Sequence, residues 1–178
     1  GTILGKRYDF HIEKGESKKV WLELREYSLE EMLNPHSIPD AMLHGKAGEK
    51  IPVSALTENS RHILFWLEEG REPTEHILNE IMESKDAFEK IQEQLIFILR
   101  SQESLKNATL LKCLEMLPGI QVYFHDFGKD KEMTARRMYV DPEKLPLMVV
   151  TEGACQGIFA AAGYSVGMAD MLLRIFQA

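Results

Sequence analysis

The stretch that most constrains this chain runs from Ile63 to Ile77. Ile63-Leu64-Phe65-Trp66-Leu67 is an unbroken apolar run, the pattern of a strand buried on both faces. Glu68-Glu69-Gly70-Arg71-Glu72 interrupts it, and Pro73 then opens a helical pattern. Proline suits a first helical turn because the N–H it lacks would have no partner there. Strand, short loop and proline-started helix make the first half of a βαβ unit. The loop offers acids, an arginine and a threonine, but no cysteine and no glycine-rich phosphate cradle.

From that anchor the pattern runs on regularly. A helix is expected from about Thr74 to Ile91, with Ile77, Leu78, Ile81, Met82, Phe88 and Ile91 on one face and Lys85 breaking the stripe. Leu95–Leu99 is a second buried strand, Ser101–Leu117 a second helix ended by Pro118-Gly119, and Ile120–His125 a third strand. Lys129–Met138 reads as a charged surface helix. Leu147–Thr151 and Ile158–Ala161 are joined by a turn short enough to require an antiparallel hairpin, and Val166–Phe176 closes the chain as a helix. The order β-α-β-α-β-α-β-β-α implies an α/β, three-layer fold: a mostly parallel central sheet, helices on both faces and an antiparallel edge hairpin.

The segment before Arg61 reads differently. Tyr8, Phe10 and Ile12, then Val20, Leu22 and Leu24, alternate as two strands of a β-hairpin over residues 1–26. A lone hairpin is marginal in water, so this one either packs on the main domain or, the favoured reading, is left from a preceding β domain. Pro35, Pro39, Gly45, Gly48 and Pro52 punctuate residues 27–60, which read as a linker with a short strand near Ile51–Leu56. Residues 61–178 are then the main domain.

Charge and composition exclude several functions. The net charge of -7 disfavours nucleic acid as a partner, because phosphate binding needs lysine and arginine clustered on one face. No run reaches the roughly 20 apolar residues of a membrane-spanning helix. Cys113 and Cys155 lie too far apart in sequence for a CxxC or a metal-binding spacing. No metal or other cofactor is expected. His125-Asp126 after a strand is a pair that serves metals or proton transfer in other folds, but no further ligand stands at a recognisable spacing. His76, beside Glu72 and Glu75, reads as a solvated or helix-bonded histidine, with a weak cation site as the alternative. Asn107-Ala108-Thr109 matches a glycosylation sequon, a match frequent by chance.

Residues 61–178 resemble the thioredoxin-like fold at two anchors. Phe65-Trp66-Leu67-Glu68 is similar to the strand that leads into the thioredoxin active site. Counting on without a gap, Arg71-Glu72-Pro73-Thr74 falls where that family carries Cys-x-Pro-Cys: the proline is kept, and Arg71 and Thr74 replace the cysteines. Leu145-Pro146, the hairpin, Gly163 and the last helix resemble the family's cis-proline strand and C-terminal end. The resemblance implies a cis bond before Pro146 and a vestigial cleft lined by Trp66, Arg71, Glu72, Pro73, Thr74, Leu145 and Pro146. Thiol exchange needs a low-pKa thiolate and a resolving thiol, and Arg71 and Thr74 supply neither, so no catalytic residue is assigned. Thr74 and Glu72 are expected to cap the helix and favour its positive end.

A broader resemblance rests on Glu69-Gly70-Arg71-Glu72-Pro73-Thr74-Glu75-His76, the hairpin at 8–24 and Gly163-Tyr164-Ser165-Val166-Gly167. These are similar to the C-terminal part of bacterial transglutaminase-like proteins. It implies a catalytic core upstream of residue 1 and an extracytoplasmic location, periplasmic or secreted. The chain would then be an accessory domain whose partners are upstream domains of the same polypeptide. An extended peptide bound beside Pro146 is the other partner the fold suggests.

Overall fold

The computed structural model describes residues 33–178. The chain divides into two units, Gly1–Asn34 and Pro35–Ala178, and the second carries the architecture below. The hairpin expected at 8–24 and the start of the expected linker lie outside the described residues.

Eight strands form one sheet in the order β1-β8-β7-β4-β5-β6-β2-β3. They are β1 (His36–Ser37), β2 (Met42–His44), β3 (Lys50–Pro52), β4 (Arg61–Trp66), β5 (Leu95–Leu99), β6 (Gln121–Phe124), β7 (Leu147–Glu152) and β8 (Gln156–Ala162). The helices are α1 (Val53–Thr57), α2 (Glu72–Glu83), α3 (Lys85–Glu89), α4 (Ala108–Met116), α5 (Gly128–Arg137) and α6 (Met168–Gln177). The sheet is mixed. β4, β5 and β6 are parallel, while β7 runs antiparallel to β4 and every other ladder is antiparallel. The β7–β8 hairpin was expected at the sheet edge; β1 pairs along β8 and covers it.

Burial explains the uninterrupted apolar runs. Every residue from His62 to Leu67 and from Leu95 to Leu99 is buried, because both faces of the central strands are covered. On one face Leu64, Trp66, Ile96, Ile98, Leu147 and Val149 pack with Phe127, Ala135 and Met138 around α5, and with Ile38, Leu43 and Val53. On the other, α2 packs on α4 and α6, and α6 on β4 and β7. Phe65 and Phe97 meet edge to face there, with centroids 5.3 Å apart.

Three expectations about elements change. The segment 36–57, read as a linker with one short strand, builds three strands and a helical turn. The helix expected over 74–91 breaks at Ser84, one residue before the Lys85 that interrupts its apolar stripe; the Ser84 N–H closes back on Glu80 O at 3.1 Å, and α3 starts in a new direction. The helix expected over 101–117 begins as a 3-10 turn, Gln102–Lys106, and becomes α-helical only after Asn107, whose Oδ1 accepts from the Leu110 N–H at 3.0 Å. The sequon asparagine is thus a helix cap.

Candidate functional site

The vestigial cleft grows out of the end of β4. Trp66 is the last residue of that strand and pairs with Leu147, the first of β7. Pro146 therefore stands at the same end of the sheet as Leu67 and the loop into α2. Trp66 is buried, as part of the core below that end. The loop turns at Gly70, whose φ of +79° favours glycine. α2 then begins with Arg71 as its N-cap residue and proline in the first turn.

The end caps differ from the expectation. No side chain caps α2. Thr74 is 1% exposed and its Oγ1 has no hydrogen-bond partner among the described residues, so it does not cap the helix. Glu72 and Glu75 do lie in the first turn, where the helix dipole favours acids. Glu75 is also tied to α4, its Oε1 accepting from Thr109 Oγ1 at 2.6 Å. Arg71 is exposed, with its Nε 3.5 Å from Glu68 Oε2; Glu68 Oε1 in turn lies 3.9 Å from Arg100 Nη2. At such exposure these ion pairs orient side chains more than they stabilise.

The Leu145–Pro146 bond is cis, as the resemblance implied. Pro146 O accepts from the Gly163 N–H at 2.8 Å, while the N–H and C=O of Leu145 have no backbone partner among the described residues. The β8–α6 loop is pinned against α2. His76 stacks on Tyr164 at 4.9 Å, and Glu80 accepts from Tyr164 Oη and from the N–H groups of Gly167 and Ala169, the last two at 2.9 Å. His76 is therefore a stacking group.

Neither sulfur reaches this end. Cys113 is sealed inside α4, and burial pushes its thiol up to about 12. Cys155 lies in the β7–β8 turn, at the opposite end of the sheet from Pro146. Burial, then the charge of Asp40 and the hydrogen bond to it, push that thiol up to about 11. Both are protonated, poorly nucleophilic thiols at neutral pH.

His125-Asp126, singled out in the sequence without a partner, has one in Asp130. The Phe127 N–H donates to His125 Nδ1 at 2.8 Å, so Nδ1 carries the lone pair and Nε2 the proton. Nε2 donates to Asp130 Oδ2 at 3.2 Å. Both ring nitrogens are spent tying the end of β6 to the first turn of α5, which leaves no free base. Around this tie Met42, His44, Arg100, Phe124, Asp126 and Asp130 line an open cleft of about 520 Å³. His44 reaches it from β2, inside the segment read as linker, and only its cross-strand pairing with Phe124 brings it there. Among the described residues no group of three His, Cys, Asp or Glu side chains is placed to hold a metal ion, and no helix is long and apolar enough to cross a membrane.

No family model and no curated protein matches the chain. Solved structures do. A Chlorobium tepidum protein assigned as the thiol:disulfide interchange protein DsbE is similar at 17% identity and a TM-score of 0.54, over 82% of this chain and 96% of that one. A Bacteroides fragilis thiol-disulfide oxidoreductase is similar at 16% identity and a TM-score of 0.53, over 78% of this chain and 97% of that one. A protein of Aquifex aeolicus assigned to electron transfer follows at 13% identity and 0.53, over 79% and 96%. At these identities the likeness shows the fold, which is an α/β thioredoxin-like one.

Proposed function

We propose that this chain is a non-redox thioredoxin-like accessory domain, which docks an extended polypeptide segment at the edge beside Pro146 instead of exchanging disulfides with it. One observation carries the reading. The helix start at Pro73 and the cis bond before Pro146 lie at one end of the sheet, with the Leu145 backbone unpaired among the described residues, while Arg71 and Thr74 stand where the sequence resemblance places two cysteines. Unpaired backbone groups of an extended segment leading into a strand can bind extended chain through main-chain hydrogen bonds, which need no thiol. Arg71, Glu72 and Pro73 rim the edge, Leu145 and Pro146 supply it, and Trp66 and Thr74 form the buried support beneath.

The segment docked is proposed to come from upstream domains of the same polypeptide, positioning a transglutaminase-like core in an extracytoplasmic compartment. That part rests on the sequence resemblance alone. The assigned activities of the structural neighbours favour a second reading, a thiol-disulfide oxidoreductase. It would have to work through Cys155, whose thiol is raised and sits at the far end of the sheet.

The test is a heteronuclear NMR titration of the full chain with reduced, alkylated insulin B chain, an extended peptide that offers no thiol. Saturable shifts centred on Arg71, Leu145 and Pro146's neighbours support docking. Shifts scattered over the surface, or none, contradict it.

A further inference from the structure

The cleft between β2 and the β6–α5 turn lies outside the machinery described so far. Its lining carries an arginine that the fold engages only at long range and a carboxylate turned to water. Arg100 stacks on Phe127, its guanidinium carbon 4.4 Å from the ring centroid, which fixes the plane of the group. Of its five N–H donors, Nη1 makes only a long 3.4 Å bond to Asp126 O, and Nη2 is 3.9 Å from Glu68. Beside it the Asp126 side chain is 93% exposed. Its nearest basic atom, His125 Nδ1 at 3.5 Å, is already the acceptor of the Phe127 N–H and has no proton to offer. Asp126 thus has no donor in the protein among the described residues.

The turn holds these two charges in place. Phe127 adopts φ +71° and ψ -83°, a strained γ-turn-like backbone rare for a residue with a side chain, and Gly128 follows at φ +48°. This backbone, locked by His125 between Phe127 N–H and Asp130, sends Phe127 into the core under Arg100 and Asp126 out to water. Arg100 touches the Asp126 backbone carbonyl, so guanidinium and carboxylate stand at neighbouring points of the cleft lining. Met42, 46% exposed on β2, adds apolar surface to the lining.

We infer that this cleft is a binding site for a small zwitterion, a free α-amino acid or dipeptide with an apolar side chain. The carboxylate of the ligand meets Arg100, its ammonium meets Asp126, and its side chain lies on Met42. A cleft of about 520 Å³ is in the range of small-molecule sites and accepts a ligand of that size.

The test is NMR titration of the full chain with L-leucine, with N-acetyl-L-leucine, which lacks the ammonium, and with L-leucinamide, which lacks the carboxylate. Leucine is expected to give saturable shifts at His44, Arg100 and Asp126, and each singly charged analogue to bind about tenfold more weakly or worse. D126N is expected to weaken leucine by about the same factor and leave N-acetyl-leucine unchanged. R100Q is expected to weaken leucine and leave leucinamide unchanged. Asp126 makes no bond the fold needs, so D126N reads binding even if R100Q disturbs the stack on Phe127. Absence of saturable shifts with leucine overturns the inference. So does either analogue binding as tightly as leucine, or D126N leaving leucine affinity unchanged.

Discussion

Thr74 shows how a single side chain marks what this scaffold lacks. Its hydroxyl is buried in the first turn of α2 with no partner among the described residues, and an unmade hydrogen bond in such a place is a cost to the fold. Val has nearly the same shape and no polar atom. T74V is therefore expected to raise the unfolding free energy by about 1 kcal/mol, read as a higher urea midpoint at an unchanged slope. A loss of stability would mean that the hydroxyl is held by a group the geometry does not reveal. The same scale explains why sequence reasoning misjudged the site's details. Threonine and glutamate at a helix start fit the pattern of caps, but the rotamer of Thr74 is decided by the core around it. Pro73 and Pro146 were legible because proline acts on its own backbone, which a neighbour in space changes little. The partnership of His125 with Asp130 was harder to see. It depends on α5 beginning at Gly128, and the strained Phe127 that starts it leaves no sequence pattern.

At the level of elements, α6 depends on α2 for its start. Gly167 precedes α6 in a left-handed conformation and has no side chain with which to cap it. Glu80 of α2 supplies the missing acceptor to the N–H groups of Gly167 and Ala169, and holds Tyr164 as well. E80A is expected to cost about 1–2 kcal/mol. The effect depends on pH. Burial works to raise the Glu80 carboxyl, but the bonds from Ala169, Tyr164 and Gly167 and the nearby His76 outweigh it and hold the group below its ordinary value. A carboxyl depressed in the folded state stabilises fully above its unfolded value and loses that contribution as pH falls through the folded one. The stability gap between the native chain and E80Q is therefore expected to be largest near neutral pH and to close on acidification below about pH 4. A gap of equal size at pH 7 and at about pH 3 would show that the carboxylate charge is not what holds the loop. Elements with a long signal were legible: the runs of β4 and β5 are continuous because both faces are covered, and α2 and α6 have clear apolar stripes. β1 and β2 were not, and β3 was only through the short strand expected near Ile51–Leu56. Strands of two or three residues have no period to detect, and their pairing is set by partners distant in sequence.

At the scale of the molecule, the described residues form a thioredoxin-like sheet whose Pro73/Pro146 end carries arginine and threonine where the resemblance expects two thiols. The fold class followed from the order of elements. The mixed sheet did not, because the direction of β7 relative to β4 depends on how the chain crosses after α5, which no local pattern records. A scaffold that is intact and lacks only two thiols makes a direct forecast for insulin reduction with dithiothreitol as electron donor. The native chain is expected to give no turnover above the uncatalysed rate. R71C/T74C is expected to form an internal disulfide across the first turn of α2, because residues three apart at a helix start lie within bridging distance, and to gain turnover. Insulin reduction by the native chain, or a double variant that folds but neither closes its disulfide nor turns over, would contradict the account.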